Sequence, residues 1–157
     1  MKRFFYLSAL FIVISFSDAM AASCSGTRVT FQNIIGTLEN KLICATSLVN
    51  NNRWAEEHLP LAGNSGPLWE HARGSNNKID PRRLAGTWRR GGNASSGGTV
   101  IYNYTGNPPG NPYEWSLWQT SSASVNFCSP DGATLIASAK LINIPAATDD
   151  NPCGFLR

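Results

Sequence analysis

The chain has 157 residues, of which 42% are hydrophobic and 15% charged, and its formal net charge is +3. This length suffices for one domain with a core of its own. The modest charge argues against a nucleic-acid-binding protein, whose electrostatic footprint is strongly basic. After residue 16, no apolar run approaches the roughly 20 residues that a membrane-spanning helix needs, so no transmembrane segment is expected.

The N-terminus has the three successive parts of a secretory signal peptide. They are a positively charged start at Lys2 and Arg3, an apolar run over residues 4–16, and the small residues of Ala19-Met20-Ala21 before a cleavage site. We therefore predict that residues 1–21 are removed. The remaining residues 22–157 are expected to form a single exported domain, either periplasmic or extracellular.

The exported chain has four cysteines, at Cys24, Cys44, Cys128 and Cys153. In an oxidising compartment, an even number of cysteines predicts disulfides rather than a metal site or a nucleophile. Of the three possible connectivities we predict the sequence-local one, Cys24 with Cys44 and Cys128 with Cys153. Small residues before Cys24 also fit a lipoprotein signal, but Ala21 stands where such signals usually have Leu. Lipidation through Cys24 is therefore the less favoured alternative.

In chain order, the apolar pattern predicts one short helix followed only by strands. Residues 29–38 have apolar side chains at helical spacing, and the later runs are short and separated by Gly, Pro and Asn. The predicted strands are 41–46, 54–59, 68–73, 84–90, 100–104, 113–118, 125–128 and 134–144. Parallel strands need long crossovers, which are absent, so antiparallel pairing is expected.

The predicted fold is therefore mainly β. We expect an antiparallel meander that forms a small barrel or a strongly twisted sheet, stapled by disulfides, with the short N-terminal helix packed against it. The triplet of Gly86, Thr87 and Trp88 resembles the Gly-x-Trp signature of lipocalin-like and avidin-like barrels. In those families the Trp closes one end of the barrel, so the resemblance implies the same place for Trp88.

The alternation is clearest in the predicted hairpin of residues 100–104 and 113–118. Its core face is predicted to carry Val100, Tyr102, Tyr104, Tyr113, Trp115 and Leu117. The opposite face carries Trp118 together with Glu114. An indole can stack on a sugar ring while its N–H finds a partner, so Trp118 beside Glu114 is a candidate binding surface. Packing within the protein is the alternative role for Trp118.

Two histidines with acidic neighbours form the only catalytic candidates. They lie in two predicted strands with the residues Glu57, His58, Glu70 and His71. A carboxylate can orient an imidazole for general-base catalysis, so a small exported hydrolase is one interpretation. However, sequence-adjacent Glu and His point to opposite faces of a strand, and neither a His-Glu-x-x-His nor a nucleophile motif is present. Surface charges on a hairpin are the favoured interpretation, and no metal or cofactor is expected.

Basic residues are concentrated between positions 73 and 90. They are Arg73, Lys78, Arg82, Arg83, Arg89 and Arg90, opposed in this stretch by Asp80. Guanidinium groups match the geometry of phosphates and carboxylates, so this segment is a candidate anion-binding surface. A solvated loop is the alternative interpretation.

The favoured function is a non-enzymatic binding or interaction domain at the bacterial cell envelope. Its partner would be an envelope glycan, an anionic ligand or a protein. Nucleic acid is an unlikely partner because the overall charge is low. The alternatives are the small hydrolase described above and a structural component of the envelope.

Overall fold

The computed structural model of the chain describes residues 22–71, 83–108, 110–144 and 153–154. Its elements are β1 (Thr27–Arg28), α1 (Ile34–Leu38), β2 (Lys41–Ser47), β3 (Arg53–His58), β4 (Gly66–Glu70), β5 (Arg83–Asn93), β6 (Gly97–Tyr104), β7 (Tyr113–Ser121), β8 (Ser124–Cys128) and β9 (Leu135–Asn143). The predicted signal peptide lies outside the described residues, so its cleavage stays a prediction. In the described ranges no helix is both long and apolar enough to cross a membrane.

Strands β2 to β9 form a closed antiparallel barrel of eight strands. Each strand pairs with the next one along the chain, and β9 returns to pair with β2 along seven residue pairs. The short β1 adds two further pairs at the side of β7. The predicted antiparallel meander is therefore confirmed, and of its two predicted forms the structure has the barrel.

Side chains along each strand alternate between the barrel interior and its outer wall. On β3, Ala55 belongs to a small outer cluster, whereas Trp54 packs against the interior core. On the β6–β7 hairpin, five of the six residues predicted for the core face belong to that core or pack against it. The sixth, Tyr113, is 47% exposed and lies where β7 begins, at the barrel rim. The predicted face of this hairpin is thus confirmed.

One end of the barrel is closed by α1 and by Trp88. Ile34 and Leu38 of α1 are fully buried, as is Trp88 on β5. The Trp88 indole N–H donates to the backbone carbonyl of Leu59, immediately after β3, at 2.9 Å. Gly66 lies directly against this indole, because a Cβ there would stand 2.8 Å from Nε1. The Gly-x-Trp triplet therefore lies on the fourth strand of the barrel, with Trp88 near the closed end.

At the opposite end, called the open end below, no described helix covers the barrel, and the described rim is apolar. Strands β2, β4 and β6 run towards this end, and β3, β5 and β7 run away from it. The large hydrophobic side chains that are exposed in the described part of the chain all lie near the strand ends here: Leu48, Val49, Leu84 and Tyr113.

The predicted local disulfide pairing is wrong. Cys24 pairs with Cys128, and Cys44 pairs with Cys153, with Cα separations of 6.3 and 5.3 Å. The N-terminal segment runs beside β8 and β9, which places Cys24 against the end of β8. Cys44 faces the outer wall of β2, where it packs in one cluster with Cys153. A local pairing would require Cys24 to cross β9, which lies between β8 and β2.

Each disulfide spans more than 100 residues, so each should contribute strongly to stability. In the chain-entropy model, loops of this length are worth about 4 to 5 kcal/mol. We expect the double variant Cys44→Ala/Cys153→Ala to lose about this much unfolding free energy in urea titrations. Peptide mapping without reduction should recover the crosslinks of Cys24 to Cys128 and of Cys44 to Cys153. Recovery of a crosslink between Cys24 and Cys44 would contradict the fold described above.

Candidate functional site

A small cavity lies in the barrel interior, towards the open end. Its volume is about 50 Å³, and its lining is mainly aromatic with one carboxylate. The described residues that line it are Trp54, Glu56, Tyr102, Tyr104, Trp115, Phe127, Ile136 and Ala137. An eight-stranded barrel has an interior just wide enough to be filled by side chains or to hold one small ligand. The cavity therefore suits a small chemical group rather than a whole large ligand.

The cavity residues converge from five strands, β3, β6, β7, β8 and β9. Trp54 and Glu56 are two residues apart on β3, and Tyr102 and Tyr104 are two residues apart on β6. A spacing of two keeps each pair on one face of its strand. Trp115 lines the cavity from β7, the strand paired with β6. The pattern that builds the core thus also gathers the aromatic rings at the open end.

Among the described residues, Glu56 is the one carboxylate that lines the cavity, and it is only 4% exposed. The Tyr104 hydroxyl donates to Glu56 Oε1 at 2.7 Å, and the Trp54 indole also donates to this carboxylate. Burial, together with the nearby Glu70 carboxylate, raises the pKa of Glu56 to about 7 against the lowering effect of these hydrogen bonds. Glu56 therefore changes its charge near neutral pH.

Glu70 is a second carboxylate close to Glu56. It is the direct cross-strand partner of Glu56 between β3 and β4. The guanidinium of Arg83, at the start of β5, forms a salt bridge with Glu70. The Arg83 side chain is 69% exposed, so this ion pair is a surface one worth at most about 1 kcal/mol. Its main effect is local, because it places a positive charge beside Glu70 rather than beside Glu56.

Aromatic rings form a continuous series from the core to the rim. Tyr102 and Tyr104 are stacked with centroids 6.0 Å apart, and Tyr104 meets Tyr113 edge-on at 5.7 Å. Tyr113 in turn stacks with Trp115 at 6.0 Å. Because Tyr113 is about half exposed, this series gives the open end an accessible flat surface that continues into the cavity.

His58 lies deeper in the barrel, below the cavity. Its Nε2 is hydrogen-bonded to the Tyr102 hydroxyl at 2.9 Å, and its ring meets Trp88 edge-on at 5.2 Å. Burial lowers the pKa of His58 to about 3, so the imidazole is neutral at physiological pH. His58 therefore belongs to the polar part of the core and joins the cavity to the closed end.

The candidate cluster of the hydrolase hypothesis is divided by the barrel wall. Glu57 faces outward and its Oε1 is hydrogen-bonded to His71 Nε2 at 2.8 Å, whereas His58 faces the interior. Glu70 is at the rim with Arg83. The four residues predicted to act together do not share one cleft, because adjacent positions of a strand face opposite sides.

The candidate basic surface is also divided. Arg73, Lys78 and Arg82 lie outside the described residues. Arg83 and Arg90 are seven positions apart on β5, roughly 23 Å along the strand. Arg83 is paired with Glu70, and Arg90 lies over the Phe31 ring, 3.9 Å from its centroid. The half-buried Arg89 alternates to the other face of the strand, so these three arginines form no common anion site.

Trp118 and Glu114 lie on the outer wall, as predicted, but they are half-buried and already engaged. The Trp118 indole donates to Ser116 Oγ at 3.1 Å, and Gly132 of the β8–β9 turn lies against its ring. Glu114 accepts a hydrogen bond from the Thr99 hydroxyl at 2.6 Å. The predicted exposed surface at Trp118 is therefore covered by the protein itself.

Sequence reasoning missed Trp54 and Glu56 as site residues. It placed Tyr102, Tyr104 and Trp115 on a core face, which is correct, but not at an opening. The sequence signal for this site is that Glu56 is two residues from Trp54 on one strand. This spacing places a carboxylate on the same face as the Trp, a face that is otherwise expected to be apolar.

Comparisons with known proteins give no relative for this barrel: no family model, no curated protein and no solved structure matches the chain. Across the described ranges, no group of three or more His, Cys, Asp and Glu side chains is arranged to hold a metal ion. The function must therefore be argued from the chemistry of the cavity.

The raised pKa of Glu56 predicts a pH-dependent contribution to stability. The folded state holds this proton more tightly than the unfolded chain does. Its stabilising effect is therefore fully present below about pH 4.5 and is lost as the pH rises through about 7. The pKa difference corresponds to on the order of 3 kcal/mol. We expect the stability of wild type relative to Glu56→Gln to fall by about this amount between pH 4.5 and pH 8 in urea unfolding.

His58 also makes stability depend on pH, with the opposite sign. Because its pKa is lowered from 6.5 to about 3, the fold becomes less stable as the pH falls between these two values. Both proteins keep His58, so its contribution cancels in the comparison. Parallel stability curves for the wild type and Glu56→Gln would show that Glu56 ionises in the folded state as it does in the unfolded chain.

Proposed function

We propose that this chain is an exported, non-enzymatic binding domain of the bacterial cell envelope and that its open barrel end binds a glycan. The observation that carries the proposal is the combination of accessible aromatic rings with two carboxylates at one opening. Tyr113 and Trp115 offer flat apolar surface, and Glu56 and Glu70 offer hydrogen-bond acceptors beside it.

Sugars have both of the features that such an opening recognises. Their apolar C–H faces pack on aromatic rings, and their hydroxyl groups donate to carboxylates. The cavity volume of about 50 Å³ admits one substituent of a sugar, while the ring itself would rest on Tyr113 at the rim. Exposed Leu48 and Val49 extend the contact surface for a longer chain.

An anionic ligand fits this opening less well than a neutral or cationic one. Glu56 and Glu70 would repel an anion, and Arg83 is already paired with Glu70. Anion binding through Arg73 and Arg82 concerns residues outside those described. We also propose that the chain is exported to the periplasm or the medium. Its two disulfides are compatible with export.

A glycan hydrolase is the second candidate, and one specific observation favours it. Glu56 and Glu70 are directly opposite each other on paired strands, which brings Cβ atoms to about 5 Å. Most glycosidases act through two carboxylates that flank the scissile bond. Release of reducing sugar from an oligosaccharide by wild type, and its loss in Glu70→Gln, would establish this activity instead of simple binding.

The proposal predicts that substitutions at the open end weaken glycan binding. In calorimetric titrations with N-acetylated chito-oligosaccharides, which are neutral, Tyr113→Ala and Trp115→Ala should each weaken binding about tenfold, which corresponds to roughly 1.4 kcal/mol. Tyr113→Ala is the cleaner variant, because this side chain is about half exposed and its removal leaves the core intact.

Trp118→Ala is the matched control, since it removes an indole from the outer wall of the same strand. We expect it to keep wild-type affinity, with folding of all variants checked by thermal melts. Weaker binding in Trp118→Ala but not in Tyr113→Ala or Trp115→Ala would move the binding surface to the outer wall and overturn the assignment of the open end.

A further inference from the structure

The cavity differs from a simple sugar-stacking surface because its carboxylate is buried inside a ring of aromatic side chains. We propose that it is a subsite for a small ammonium group, such as the amine of a deacetylated amino sugar, held by Glu56 within an aromatic cage. This inference rests on the proposed glycan-binding function and names the substituent that enters the barrel.

The aromatic lining has the chemistry that attracts a cation. Trp54, Tyr102, Tyr104 and Trp115 come from three strands and surround one small space. The face of an aromatic ring carries negative charge density, and cages of such rings bind ammonium groups, with Trp the strongest partner. Phe127 closes the cage on the side of β8.

Among the described residues, no cationic group pairs with Glu56. Its carboxylate can therefore be the counter-charge of a bound ammonium group. Its hydrogen-bond donors, the Tyr104 hydroxyl and the Trp54 indole, are both neutral. The nearest ion pair at this opening joins Arg83 to Glu70 instead. A buried carboxylate normally has a charged partner, so Glu56 is built to receive one from outside.

The other titratable groups that the structure describes around Glu56 do not supply that positive charge. Tyr102 and Tyr104 on β6 stay neutral, because burial raises the pKa of both phenols. Glu70 on β4 adds negative charge opposite Glu56. With Glu56 ionised, these groups leave a net negative charge at the cavity, which favours a cation and disfavours an anion.

Binding of an ammonium group is therefore linked to a proton. Glu56 is mostly protonated in the free protein below about pH 7 and must ionise to pair with the cation. Binding should release a proton, and affinity for a permanent cation should rise as the pH rises from 5 to 8. Below pH 7 the rise should approach tenfold per pH unit.

The direct test uses choline, whose charge does not titrate, and its neutral carbon analogue 3,3-dimethylbutanol. We expect wild type to bind choline at least tenfold more tightly at pH 8 than at pH 6, and to prefer it at least tenfold over the analogue. Calorimetry in two buffers of different ionisation enthalpy should show release of about one proton at pH 6. Equal binding of the two compounds would overturn the proposal, as would binding without proton release.

Two isosteric variants separate Glu56 from general acidity. Glu56→Gln keeps an acceptor for Tyr104 and should lose choline binding more than tenfold and lose its pH dependence. Glu57→Gln makes the same change one residue away, on the outer wall, and should bind choline as wild type does. Unchanged binding in Glu56→Gln would overturn the proposal. The proton release of wild type decides the matter even if Glu56→Gln fails to fold.

A second pair of probes distinguishes this inference from the proposed function. Deacetylated and N-acetylated chito-oligosaccharides differ only in the charge and acylation of their amines. Preference for the deacetylated form, lost in Glu56→Gln, supports both proposals. Equal binding of both forms, weakened by Tyr113→Ala, keeps the glycan function and overturns the ammonium subsite. Binding of choline without binding of any glycan keeps the subsite and overturns the glycan function.

Discussion

Pairing of β9 with β2 is the constraint on which the rest of this structure depends. Without it the eight strands would form an open sheet with two exposed edges, each a row of unpaired backbone groups. Seven residue pairs close the barrel and remove both edges. Closure also fixes the direction of every side chain, because an inward position on any strand now faces the inward positions of all the others. The core and the cavity are two regions of this one interior.

The interior changes in character from one end to the other. At the closed end, α1 and Trp88 are buried, and the Leu59 carbonyl accepts a hydrogen bond from the Trp88 indole. His58 marks the transition, since burial keeps its imidazole neutral. At the open end, the buried Glu56 carboxyl has a pKa raised to about 7. The interior therefore changes from apolar packing at one end to a titratable, aromatic cavity at the other.

Much of the fold could be predicted from the sequence, because strand alternation and turn composition are local signals. The antiparallel order and the face of the β6–β7 hairpin were predicted correctly from such patterns. The site could not be predicted equally well. Tyr102, Tyr104 and Trp115 were recognised as inward-facing, but an inward residue at the closed end and one at the open end have the same sequence pattern. Whether Trp118 is exposed or packed could not be decided from the sequence, because Gly132, which lies against its ring, belongs to a turn further along the chain.

The sequence by itself determined the period-two pattern, the even number of cysteines and the surplus of aromatic residues, because each of these is a property of neighbouring positions or of composition. Only the tertiary structure decided which cysteines meet, since Cys24 and Cys128 are brought together by strands that lie far apart in the chain. It also decided that Glu57 faces the outer wall while Glu56 enters a cavity. The sequence of β3 does not distinguish its two faces, because each of them carries one carboxylate. Only the long-range pairing that closes the barrel makes one of these faces the interior.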